Sequence, residues 1–126
     1  MRYTRLGQTD LEVSRVCFVT WQFSGEWGSN EEQDLVDAMR RALDLGVNFF
    51  DTAQAYGFGT SEQIVGKALE PEIKNRREEV VLATKGGVRM AGDQLLRDSS
   101  PQWLRQGVED FLRFLGTDYI DLYQVH

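Results

Sequence analysis

Four short apolar runs punctuate the chain, and between them apolar residues recur every three or four positions. Val16 to Thr20 (VCFVT) is continuous and partly β-branched, the pattern of a strand buried on both faces. Val47 to Phe50, Val80 to Thr84 (VVLAT) and Tyr119 to Val125 (YIDLYQV) predict three further strands. In the first intervening segment Leu35, Met39, Ala42 and Leu43 share a helical face, and Gly46 closes the helix. Ser29 and Glu32 have the spacing of a capping box ahead of it. Ile64, Val65, Ala68 and Leu69 form the next face, with Thr60 or Ser61 as its cap. Leu104, Val108, Phe111, Leu112 and Leu115 form the third, opened by Ser100 before Pro101 and ended by Gly116. Upstream, Tyr3 to Leu6 and Leu11 to Val13 flank the turn-forming Gly7-Gln-Thr-Asp10, which predicts a short hairpin.

Strand and helix therefore alternate and end on a strand, at spacings of roughly 30 to 40 residues that suit right-handed crossovers. A doubly wound nucleotide fold would carry Gly-x-Gly-x-x-Gly after its first strand. The residues after Thr20 are Trp-Gln-Phe-Ser-Gly-Glu-Trp-Gly, and Gly57-Phe-Gly59 is only a fragment of the pattern, well past its strand. A (β/α)8 barrel of the TIM type is the better reading, but it needs eight strands and typically about 250 residues. The chain has 126 residues and four such strands. The expected fold is the first four β/α strands of a barrel behind an N-terminal β-hairpin, with residues 1–126 forming an incomplete domain.

Composition narrows the chemistry. With 41% hydrophobic and 27% charged residues, the chain reads as soluble and globular. A net charge of −6 gives no electrostatic reason to bind nucleic acid. No apolar run is long enough to span a bilayer, and Met1-Arg-Tyr-Thr-Arg-Leu-Gly7 has no apolar targeting core. One cysteine, Cys17, excludes an internal disulfide, so a reducing cytoplasm is the expected setting. One His and one Cys leave too few ligands for a metal site of this chain's own.

In a (β/α) barrel the active site is built from the carboxyl ends of the strands and the loops beyond them. Thr20 and Trp21 follow the first strand, Asp51 the second, Lys85 the third and His126 the fourth, and Tyr56 sits in the loop after the second. Singly, each has a plain structural role: Asp51 caps a turn, Tyr56 plugs the mouth, Lys85 snorkels to solvent, and a terminal histidine is inert. Together they make a proton-handling set. An ammonium beside a phenol favours the phenolate, and a carboxylate beside the ammonium keeps it charged. An imidazole can hydrogen-bond a carbonyl oxygen while the phenol supplies a proton to it.

Gly46-Val-Asn-Phe-Phe-Asp-Thr-Ala-Gln-Ala-Tyr-Gly57, with Ser61-Glu62 after it, carries one family signature. Leu115-Gly-Thr-Asp-Tyr-Ile-Asp-Leu-Tyr-Gln-Val-His126 carries a second, with Ala83-Thr-Lys-Gly86 between them. In this order, over essentially the whole chain, they resemble the N-terminal half of an aldo-keto reductase. The resemblance implies Tyr56 as general acid, Lys85 and Asp51 tuning it, and His126 orienting the carbonyl. It also implies Thr20, Trp21 and Asp51 beside the cofactor, NADPH, bound extended across the barrel mouth without a Rossmann motif. The chain departs from the family at Val19, where glycine is usual, and near Cys17 and Ser24, where it is frequent. Val19 is expected to crowd the interior near the cofactor. Phe111 and Phe114 stand where Ser and Arg are common, which bears on packing.

The family holds the nicotinamide amide and the adenosine phosphates with residues of strands five to eight, and this chain has none of them. The expectation is an NADPH-dependent reductase of a small-molecule aldehyde or ketone, this chain carrying the acid-base half and inactive alone. A non-enzymatic regulatory or scaffold subunit of the same fold, and an inactive self-associating half-barrel, stay open beside it. The outer edges of strands one and four are expected to be unpaired, with Val16, Phe18 or Val19, and Ile120 or Leu122 on uncovered surface. Self-association, or pairing with a C-terminal half, follows. If the chain ends at His126, an α-carboxylate beside the imidazole is expected to raise its pKa.

Overall fold

Four parallel strands stand side by side in the order in which the chain makes them. They are β3 (Cys17–Val19), β4 (Phe49–Asp51), β5 (Val81–Gly86) and β8 (Leu122–Val125), in a computed structural model that describes residues 1–25 and 31–126. Ahead of them β1 (Tyr3–Arg5) and β2 (Glu12–Ser14) form the expected antiparallel hairpin. The helices are α1 (Glu32–Asp44), α2 (Thr60–Ala68), the short α3 (Glu70–Asn75) and α4 (Pro101–Leu115). A second antiparallel hairpin, β6 (Val88–Ala91) and β7 (Gln94–Arg97), rises between β5 and α4.

The strand order never reverses, so there is no switch point of the kind a doubly wound sheet has. Register aligns Phe18, Phe50 and Leu82 across three strands, and all three face the helices. There they meet Val36 and Met39 of α1, Ile64 and Val65 of α2, and Phe111 and Leu115 of α4 in one core. Alternation turns Cys17, Val19, Phe49, Asp51, Ala83 and Lys85 to the opposite face. No helix covers that face among the described residues, as in the interior of an open part of a barrel.

Several expectations shift in detail. Strand β3 is not buried on both faces: Cys17 and Phe18 are half-buried and Val19 is 43% exposed, because β3 is an edge strand beside the open face. Thr60 and Ser61 do not cap α2; Gly59 takes that place in a left-handed conformation. Thr60 Oγ1 instead donates to the Gly57 carbonyl, and the Ser61 hydroxyl turns inward. The fourth strand begins at Leu122, because the Asp121 carboxylate is taken by the Leu82 N–H at 2.8 Å and by Arg77 at 2.7 Å. Ile120 and Phe18 pack against the core, while Val16 and Val19 are exposed as expected. Ser29, half of the expected capping box, lies outside the described residues; α1 begins behind Glu31 in an extended conformation. Ser100 accepts a bond from the Trp103 N–H, with Pro101 next, and Gly116 closes α4 at a φ of 69°, both as expected.

Candidate active site

The upper ends of β3, β4, β5 and β8 meet at one mouth. Asp51 ends β4, and Lys85 lies two residues beyond its partner Ala83 on β5, on the same face. Lys85 Nζ donates to Asp51 Oδ2 at 2.6 Å and to the Thr52 carbonyl at 2.9 Å. Both side chains are largely buried, and an ion pair this enclosed holds its shape because leaving either charge alone is strongly unfavourable. The ammonium also lies 5.2 Å from the centre of the Tyr56 ring. His126 also meets that ring edge-on, with ring centres 6.1 Å apart. Four of the six residues singled out from the sequence, Asp51, Tyr56, Lys85 and His126, are thus brought together.

His126 is placed by its backbone, whose N–H donates to the Gly86 carbonyl at 2.8 Å, while Arg97 Nη1 donates to its carbonyl oxygen at 2.8 Å. Its pKa moves down. Burial disfavours the imidazolium most, Lys85 and Arg97 add positive charge, and Asp51 only partly offsets them. The side chain is therefore a neutral imidazole at neutral pH.

Thr20 and Trp21 diverge. Thr20 is fully buried, and its hydroxyl accepts from Ser61 Oγ at 2.8 Å while approaching the Asp51 carbonyl at 3.3 Å. Thr52 Oγ1 joins Ser61 Oγ at 3.0 Å. This hydroxyl cluster ties the ends of β3 and β4 to the start of α2, so it fixes the loop that carries Tyr56. Trp21 is half-exposed and lines a cavity of about 620 Å³ together with Tyr56, Phe58 and His126. Met90 and Leu95 of the β6–β7 hairpin border the same space. The sequence reading missed that hairpin, whose signal is the Gly92-Asp93 pair between two short β-prone runs. Ser61, expected to cap α2, instead joins the two strand ends through its hydroxyl.

Among the described residues no cluster of His, Cys, Asp and Glu is arranged to hold a metal ion, and no helix is long and apolar enough to cross a membrane. Cys17 lies on the open face of the sheet, where burial first, and Asp51 second, push its thiol up to about 11. It is a protonated, unreactive thiol at neutral pH.

Known proteins with this sequence and shape converge on one family. The model of the aldo/keto reductase family matches residues 15–126. The aldo-keto reductase YhdN of Bacillus subtilis is 45% identical over all of this chain and 38% of its own length. The NADH-specific methylglyoxal reductase of Escherichia coli is 40% identical, over all of this chain and 42% of its own. Among solved structures, the holo form of aldo-keto reductase AKR11C1 from Bacillus halodurans matches with a TM-score of 0.86 and 40% identity, over all of this chain and 40% of that one. The chain thus spans about two fifths of the length of these relatives. Its parallel strands and helices correspond to part of their (β/α)8 barrel. With motifs, strand order and relatives in agreement, the chain belongs to the aldo/keto reductase family.

Proposed function

We propose that this chain supplies the proton-handling part of an NADPH-dependent reduction of an aldehyde or ketone to an alcohol. The observation that carries the reading is Lys85, held by Asp51 at 2.6 Å while it faces the Tyr56 ring, with His126 edge-on to the same ring. A carbonyl oxygen entering the cavity meets the Tyr56 hydroxyl and the neutral His126 imidazole together. The imidazole orients the oxygen by a hydrogen bond, and the phenol donates its proton as negative charge develops there. The Lys85 ammonium stabilises the phenolate left behind, and Asp51 holds that ammonium in place. Thr52, Ser61 and Thr20 hold the strand ends so that the Tyr56 loop keeps its distance from Lys85.

The donor set fits a nicotinamide cofactor, with Trp21 giving a flat apolar surface at the mouth and Asp51 a polar one below it. When bound, that group supplies the hydride. Thr20 serves it indirectly, by fixing Trp21, since its hydroxyl is engaged inside. Completing the mouth takes further strands beyond β3 and β8, from a C-terminal half or a second copy, so the 126 residues alone are expected to be inactive. A reducing cytoplasm suits the half-buried Cys17, a free thiol.

The test joins this chain to the C-terminal half of its Bacillus halodurans relative and follows NADPH and NADH oxidation by 4-nitrobenzaldehyde. Tyr56→Phe is expected to lower turnover by about 10²-fold or more while leaving cofactor binding nearly unchanged. Unchanged turnover would remove Tyr56 from the mechanism, and faster reaction with NADH would overturn the choice of NADPH. No turnover in the parent protein despite cofactor binding would leave a regulatory or scaffold role.

A further inference from the structure

Three exposed apolar side chains at the mouth have no part in moving the proton. Phe58, Met90 and Leu95 border the cavity that also holds Tyr56 and His126. Scattered exposed apolar residues need no explanation, but three converging on one polar pair do. Two of them belong to one face of the β6–β7 hairpin. Register pairs Met90 with Leu95 and Val88 with Arg97, so alternation sets these four side chains together. That face is turned to the mouth: Val88 is buried, and Arg97 donates to the His126 carbonyl at 2.8 Å. The hairpin is also clamped at its base, where the Asp98 N–H meets the Gly87 carbonyl at 2.9 Å and the Trp103 indole meets the Val88 carbonyl at 3.1 Å. Met90 and Leu95 are 43% and 62% exposed, in fixed positions beside the cavity.

Phe58 reaches the same space from the loop after β4. Its φ of 47° is the one left-handed value at a non-glycine residue among those described, and it sits between Gly57 and Gly59, also at positive φ. A bulky side chain is disfavoured in that conformation, and such backbone strain concentrates at ligand sites.

We propose that Phe58, Met90 and Leu95 form the wall that selects the substituent on the carbonyl carbon, favouring a flat aryl group over a short hydroxylated one. This rests on reading the mouth as the carbonyl site. With the oxygen held by Tyr56 and His126, the substituent extends toward these three side chains. They give an apolar ring matching surface and offer a hydroxyl no hydrogen-bond partner, so a hydroxylated substituent loses water without replacement.

Two methyl ketones isolate the substituent: acetophenone and hydroxyacetone. With 13C-labelled methionine and leucine methyl groups in the purified chain, acetophenone is expected to shift the Met90 and Leu95 signals saturably. It should bind about 10-fold or more tightly than hydroxyacetone. Met90→Ser and Leu95→Ser change exposed hairpin positions outside the core, and each is expected to weaken acetophenone several-fold while leaving hydroxyacetone unchanged. Equal affinity for the two ketones, no acetophenone binding, or insensitivity of its affinity to both substitutions would overturn the wall. Tyr56→Phe separates this result from the catalytic reading. Undiminished reduction by that variant would sink the catalytic role while ketone selection stood, and Tyr56-dependent reduction without ketone selection would sink the wall alone.

Discussion

Glu62 lies beneath the site, only 1% exposed, with a weak donor, Thr84 Oγ1, at 3.4 Å. Burial lifts its pKa from 4.5 to about 7; the Thr84 bond works against the shift, and Asp110 adds to it. The folded state therefore binds this proton more tightly than the unfolded one. The group's favourable contribution is full below about pH 4.5 and is lost as pH rises through about 7. By pH 8 the buried carboxylate is expected to cost on the order of 3 kcal/mol relative to its protonated form. His126, with its pKa lowered, has the opposite sense: its contribution is full above pH 6.5 and lost on acidification. Glu62→Gln separates the two. Urea denaturation should show the variant matching the parent at pH 5 and exceeding it in stability at pH 8. A variant equal to the parent at both pH values would show that Glu62 does not titrate in this window. From the sequence Glu62 was legible as part of a motif, but its burial was not, because polarity alone puts a glutamate on the outside.

At the level of elements, β8 and α4 are locked through one ring. The Tyr123 hydroxyl donates to the Leu104 carbonyl at 3.0 Å, which pins it between β5 and α4. A Cβ at Gly86 would come within 1.8 Å of that hydroxyl and 2.8 Å of the ring carbon bearing it, and one at Gly107 within 2.7 Å of the hydroxyl. Gly86→Ala and Gly107→Ala are each expected to destabilise by about 1–3 kcal/mol, read as a drop in the urea midpoint. Tyr123→Phe should restore most of the loss at Gly107, where only the hydroxyl is too close, and little at Gly86. Rescue of both alike, measured as a double-mutant cycle, would contradict this geometry. Strands and long helices were legible here from periodicity and their closing glycines. The short α3 and the β6–β7 hairpin were not. Each is too brief to show a period, and the hairpin is held by tertiary bonds from Arg97, Asp98 and Trp103.

For the whole molecule the decisive feature is the open sheet. Strands β3 and β8 are both edges, and the face away from the helices presents exposed Val19 and half-buried Cys17, Phe49 and Leu122. Unpaired edges beside apolar surface recruit further strands. Sedimentation of the 126-residue chain at micromolar concentration should show dimers or larger species, and addition of a complementary C-terminal half should displace them. A stable, cooperatively folding monomer would mean that the open face needs no cover. The sequence by itself determined the β/α alternation, the four-strand extent and the candidate acid-base set. These follow from apolar period, turn residues and side-chain chemistry, which are local properties. Only the tertiary structure decided that Lys85 reaches Asp51, that Thr20 turns inward to Ser61, and that His126 loses basicity. Distance, burial and neighbouring charge set those outcomes, and they depend on which strand ends the fold brings together.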